Sequence, residues 1–101
     1  MDELILKVEE WSKAKGLDKA ESSKQFLKFS EEAGEVASAL ARGQMEELKD
    51  GIGDVIVTLI ILAQQQELTI EECLAFAYDE IKNRTGKMVD GVFVKSEDLK
   101  S

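Results

Sequence analysis

Residues 45–66 read MEELKDGIGDVIVTLIILAQQQ, and the two halves of this stretch differ in character. The first half is acidic; the second, from Val55 to Ala63, is apolar almost all round. A helix apolar on every side belongs in the middle of a protein or at a subunit contact. The run is far shorter than the roughly 20 apolar residues that cross a bilayer. The spacing therefore predicts a central helix over about 45–66. Within it Glu47, Asp50 and Asp54 fall at i, i+3 and i+7, which places them in one stripe. Asp54 borders Val55-Ile56-Val57, where a carboxylate needs a partner or a metal ion. Gly51 and Gly53 flank it and weaken the helix locally.

Working outward, Gly43 fits the C-terminal cap of a preceding helix over about 20–42. Phe26, Phe29, Ala33, Val36, Ala37 and Leu40 are expected on its inner side. The run SEEAGEV places Glu32 and Glu35 on one face, with Glu31 beside them. Like charges at this spacing repel, and a cation would relieve them. Gly34 in their midst suggests close approach by a helix or a ligand. Asp18 with Glu21 resembles a capping box for this helix, with Ser22 or Ser23 as alternatives. Before it, Leu4, Ile5, Val8 and Trp11 recur at helical spacing, giving a first helix over about 2–15 that stops near Gly16. After the central helix, Thr69 and Glu72 form a cleaner capping box opening a fourth helix over about 69–83. The stretch 85–101, with Gly86, Gly91 and the alternating Val92-Phe93-Val94, reads as a short hairpin or an extended arm. The expected architecture is a single all-α domain over 1–101. It is a four-helix, bundle-like subunit with a C-terminal arm or hairpin. Short loops make neighbouring helices antiparallel, which can bring the two acidic faces together.

Composition narrows the chemistry. The chain has 101 residues and a formal net charge of -8, against a broad basic surface for nucleic acid. It has no histidine, which excludes Cys–His and Ser–His catalysis and histidine-based zinc sites. The one cysteine, Cys73, has no partner for an intrachain disulfide and reads as a core or half-buried thiol. The remaining metal-binding atoms are oxygens, which select hard cations such as Mg²⁺ or Mn²⁺. The start, MDELILKVEEW, lacks a signal-peptide pattern, so a cytoplasmic location without membrane association is expected. Acidic helix faces are usually solvated surface. Two of them, interrupted by glycines and running into an apolar segment, make a binding site an equal reading.

These segments resemble a known family. KFSEEAGEVASAL (28–40), followed by DGIGDVIVTLIILA (50–63), is similar to the MazG-type nucleoside triphosphate pyrophosphohydrolases of the all-α superfamily. AYDEIKNRTGKMVDGVFVK (77–95) resembles the C-terminal part of small single-domain, phage-type members. The likeness runs from about Trp11 to Lys95. It implies an enzyme that converts nucleoside or deoxynucleoside triphosphates to the monophosphate and pyrophosphate with Mg²⁺, or alternatively Mn²⁺. It also implies a homodimer or homotetramer with shared active sites. The family's Glu-x-x-Glu falls on Glu32 and Glu35, preceded by Glu31. The aspartate of its Glu-x-x-Asp falls on Asp54, but the matching glutamate position is Gly51, with Asp50 the nearest substitute. The resemblance thus implies Glu32, Glu35, Asp50 and Asp54 as metal ligands; an alternative register pairs Glu47 with Asp50. Glu31 or Glu35 is expected to orient the attacking water, with ligand and base not separable. Lys28, Asn83, Arg84 and Lys87 are candidates for phosphate contacts, since cations and amides suit phosphate oxygens, or else plain surface. Trp11 either stacks on a base or packs in the core with Leu4 and Val8. The competing reading, favoured by Gly51, is a catalytically weakened module that binds metal or nucleotide, or assembles with partners.

Overall fold

The structure is a computed structural model that describes residues 2–99. It contains α1 (Asp2–Ala14), α2 (Ser22–Arg42), α3 (Met45–Gln65) and α4 (Ile70–Ile81), then β1 (Gly86–Val89) and β2 (Val92–Lys95). Short 3₁₀ turns follow α1 (Leu17–Lys19) and β2 (Ser96–Leu99). The expected all-α class with a C-terminal hairpin is the fold that forms. The chain divides into two compact units, Met1–Ile70 and Glu71–Ser101. No helix among the described residues is long and apolar enough to cross a membrane.

In the first unit, α2 and α3 form an antiparallel helical hairpin. α2 stops because Gly43 takes a left-handed conformation, φ +67°, at no steric cost. The Gln44 N–H then donates to the Ala39 carbonyl at 3.0 Å and the Gly43 N–H to Leu40 at 3.2 Å, which closes the helix end. α3 begins immediately afterwards. Val36 packs against Gly51, and the Gln25 amide reaches the Thr58 carbonyl at 3.0 Å. Those two cross-links fix the register, in which residues whose numbers sum to the mid-eighties lie opposite one another.

The buried apolar residues are Ile60, Ile61 and Ala63 of α3, Ala39 of α2 and Ile5 of α1. Burying each isoleucine contributes about 1.5–3 kcal/mol, so the apolar end of α3 is the anchor of the unit. Its last residues are tied down by amides. Gln64 donates to the Glu9 carbonyl at 3.2 Å, Gln65 to the Leu17 carbonyl at 2.9 Å and Gln66 to the Ser22 hydroxyl at 2.7 Å.

Two expectations need correction. The capping box at Asp18 and Glu21 does not form: Glu21 is itself the N-cap of α2 and makes no side-chain capping bond. The inner face of α2 is also rotated. Phe29, Ala33 and Val36 are at least half-buried, but Phe26, Ala37 and Leu40 are exposed. Gln25, Glu32 and Ala39 take the inward positions instead. Phe26 stacks on Phe29 with ring centroids 5.7 Å apart, a contact along the helix rather than across it.

In the second unit, β1 and β2 pair antiparallel with Gly86 opposite Lys95 and Val89 opposite Val92. Asp90 and Gly91 make the turn with φ +51° and +81°, the pair of left-handed residues a tight hairpin requires. The Ser96 N–H closes on the Thr85 carbonyl at 2.8 Å. No residue of α4 is buried, and Cys73 is half-buried.

Candidate functional site

The hairpin register puts Glu32 of α2 opposite Asp54 of α3, which joins the two acidic stripes. Gln25, Lys28, Glu32 and Glu35 follow one another at i, i+3, i+7 and i+10, so a single face of α2 carries them. Glu32 is only 7% exposed. One of its oxygens, Oε1, takes an ion pair from Lys28 Nζ at 3.1 Å; the other, Oε2, is buried without a partner. A buried carboxylate oxygen left unpaired costs on the order of 1–3 kcal/mol or more, which makes it a candidate position for a bound ligand.

The neighbouring groups register this crowding. Glu35 holds its proton above the usual carboxylate range, first because of the charge of Glu32 and then because the two carboxyl groups lie within hydrogen-bonding reach of each other. Asp54 is also pushed up, first by burial and then by the charges of Asp50 and Glu32. Lys28 is held charged, first by its hydrogen bond to Glu32 and then by the Glu32, Glu31 and Glu35 charges. Glu31 itself lies on the exposed side, 4.0 Å from Lys28.

Asp54 lines three clefts. One, of about 430 Å³, is walled by Trp11, Gln25, Lys28, Glu32 and Thr58 over an apolar floor of Val57 and Ile61. A second, of about 380 Å³, lies between Trp11 and the Leu4, Lys7 and Val8 side of α1. The third, of about 240 Å³, holds Glu35, Arg42, Glu47, Asp50 and Gly51. Trp11 is therefore no core residue: it is 50% exposed and stands on the rim of two clefts. Gln25, Thr58 and Arg42 were not singled out in the sequence. The signal for Gln25 was its place seven residues before Glu32 on the same helical face.

A larger cleft, of about 460 Å³, lies in the second unit and contains none of these carboxylates. Asn83 and Arg84 line it together with Glu80, Thr85, Lys95 and Glu97. Lys87 lies on β1 opposite Val94, outside that lining. We centre the candidate site on the smaller clefts, because only there does a buried, half-partnered charge meet other titrating groups.

Gly51, where the family pattern expects a glutamate, has a local reason. A Cβ built there would meet Val36 Cγ2 at 3.0 Å and the Val36 backbone at 3.7 and 3.8 Å. The glycine lets α3 approach α2 one residue beyond Glu35. Gly34 and Gly53 have open space where a Cβ would go, so the close approach expected at Gly34 is not made within the described residues.

The donor set suits a hard divalent cation: several carboxylates, one with an orphaned buried oxygen, and no sulfur or imidazole beside them. Among the described residues no three acidic, cysteine or histidine side chains are already gathered in metal-holding positions. Glu32 faces the lysine instead.

The fold and the site together define a helical protein that gathers carboxylates next to an aromatic cleft. The pattern of the MazG nucleotide pyrophosphohydrolase domain matches residues 20–89, and the chain belongs to that family. It is also similar to an uncharacterized 18.2 kDa protein in the rep-hol intergenic region of Haemophilus phage HP1 (strain HP1c1). The two are 36% identical over 69 residues, covering 67% of this chain and 42% of that protein. The chain thus spans about two-fifths of that relative's length. No solved structure matches it.

Proposed function

We propose that this chain hydrolyses nucleoside triphosphates between the α and β phosphates, giving the monophosphate and pyrophosphate, with Mg²⁺ as the metal and Mn²⁺ as a substitute. The observation that carries the reading is Glu32, buried with one oxygen unpartnered, set opposite Asp54 at the mouth of a cleft lined by Trp11. A bound divalent ion would neutralise charge on the phosphates and make a water nucleophilic. Glu32, Glu35 and Asp54 are the residues that hold it, with Asp50 reaching in from the next turn. Glu35 is better placed than Glu31 to take a proton from the water, being within hydrogen-bonding reach of Glu32. Lys28 stands on the same face for a phosphate oxygen. The Trp11 ring, beside Val57 and Ile61, offers the flat apolar surface on which a base stacks.

Assembly is part of the proposal. Ile52 and Ile56 on α3, Leu4 on α1 and Leu40 on α2 are all exposed in the single chain. Scattered exposure is ordinary, but this many large apolar side chains on a short chain point to a second copy covering them. We infer a homodimer or homotetramer, acting in the cytoplasm as one MazG-like domain. Sedimentation showing only a monomer at micromolar concentration would contradict that.

The deciding experiment incubates pure protein with a panel of NTPs and dNTPs plus Mg²⁺ and resolves the products. Monophosphate and pyrophosphate from any member support the reading. No turnover on any member would leave the weakened binding module, which Gly51 at the family's glutamate position favours.

A further inference from the structure

The carboxylate cluster already has a cation, and it belongs to the protein. Lys28 Nζ lies 3.1 Å from Glu32 Oε1 and 4.0 Å from Glu31 Oε2. The two ends of the closer pair sit in different surroundings. The lysine side chain is 56% exposed and the glutamate side chain 9%. The ammonium therefore stands at the water side of the site, against one oxygen of a carboxylate whose other oxygen is buried and empty-handed. Its charge also opposes the crowding at Glu35 and at Asp54, across the helical hairpin.

We propose that Lys28 is the resident counter-ion of the carboxylate site: it holds Glu32 in the metal-free chain and gives that oxygen up when a divalent cation enters. This deepens the reading above and rests on its metal site. Two physical arguments support exchange rather than coexistence. An ion carrying twice the charge competes for the same oxygen and repels an ammonium left within a few ångströms. A lysine with its head in water also leaves at little cost, because water rehydrates the freed ammonium while the entering cation takes over the compensation of Glu32. Arginine would grip the carboxylate through two parallel bonds and release it less readily. With no cation at all, Glu32 would be a buried charge without compensation, which strongly disfavours the folded chain. Lysine is thus suited to both tasks, protecting the empty site and vacating it.

The test titrates Mn²⁺ alone, without nucleotide, into the full wild-type chain, Lys28→Met and Lys28→Arg, and records melting curves with and without the metal. Lys28→Met should bind Mn²⁺ roughly twofold to fivefold more tightly, the size expected when a competing, half-exposed ammonium is removed. Its metal-free form should melt below wild type, and saturating Mn²⁺ should close that gap. Lys28→Arg should bind Mn²⁺ more weakly than wild type. Unchanged or weaker Mn²⁺ binding by Lys28→Met overturns the proposal, as does a melting deficit that persists undiminished in saturating metal. Hydrolysis is not read in this experiment. Wild type that binds Mn²⁺ as described but turns over no triphosphate removes the hydrolase reading and leaves the counter-ion standing. Wild type that binds no Mn²⁺ overturns both.

Discussion

The two compact units handle polar groups in opposite ways. The first places Ser12, Glu32 and Thr58 among its buried residues. The second buries nothing in α4 and leaves Leu74, Phe76 and Tyr78 open, with Phe76 72% exposed. Its charged groups pair at the surface, as Lys82 does with Asp79 at 2.7 Å and Lys95 with Glu97 at 3.7 Å. Surface pairs of that kind contribute little, because water screens them. A carboxylate taken out of water interacts far more strongly with whatever reaches it. The contrast teaches where to look for chemistry: cleft volume favours the second unit, and desolvated charge favours the first.

The largest effects should come from the buried side of that contrast. Glu32→Gln and Asp54→Asn should each lower kcat on the order of 10²-fold or more, since the proposed function makes these residues holders of the metal ion. Mg²⁺ should raise the melting temperature of the wild type by binding its native state, and both variants should lose most of that rise. The metal-free fold should stay intact. Arg84→Ala in the second unit, whose cleft holds none of these carboxylates, should change kcat less than about threefold. Steady-state kinetics and melting curves check both. A reversed ranking would move the site to the larger cleft.

Next in size is the choice between Asp50 and Glu47, which share one cleft with Asp54. The charge of Asp50 is among the causes acting on Asp54, and Glu47 is not. Asp50→Asn should therefore cut kcat/KM about tenfold or more, with a smaller loss for Glu47→Gln. The opposite order would favour the register that pairs Glu47 with Asp50.

Gly51→Ala comes third. The new methyl presses on Val36, and overpacking of this kind costs about 1–3 kcal/mol, set against the roughly 1 kcal/mol that alanine gains over glycine in a helix. For a domain of this length the net loss lowers Tm by about 4–8 °C per kcal/mol. Val36→Ala in the same chain should recover part of the loss. Gly51→Glu should weaken metal binding rather than restore the family geometry, because its side chain starts against α2. Tighter binding would show that the helices separate easily.

The smallest effect should be at Phe76. Ile60→Ala removes a fully packed side chain and should cost about 2–5 kcal/mol, whereas Phe76→Ser should stay within about 0.5 kcal/mol by denaturant titration. A loss at Phe76 comparable with that at Ile60 would mean this face is covered in solution.

Much of this arrangement was legible in the chain. Periodicity and glycines located the four helices, and Asp54 betrayed itself by standing against an apolar run. The carboxylates of α2 were visible as a cluster, but their inward turn was not. Apolar patterning assigns Phe26 and Leu40 to the inside, whereas the fold turns Gln25 and Glu32 there. A functional face breaks the rule that reads burial from hydrophobicity. Trp11 failed for a related reason, since helical spacing with Leu4 and Val8 cannot tell a packed ring from one on a cleft rim. Gly51 could be seen as a departure, but its cause, contact with Val36, exists only once the two helices are laid together.

The three glutamines at the end of α3 carry a consequence for how this chain can change over generations. Two of them, Gln64 and Gln65, fasten to main-chain oxygens of Glu9 and Leu17. A peptide carbonyl is the same whatever side chain its residue bears. Positions 9 and 17 are thus free to drift without loosening the attachment, while the amides that grip them are not. Covariation between the joined positions should accordingly be weak, and a search for contacts through correlated substitutions would pass over the bonds that tie α1 and the turn after it to the end of α3.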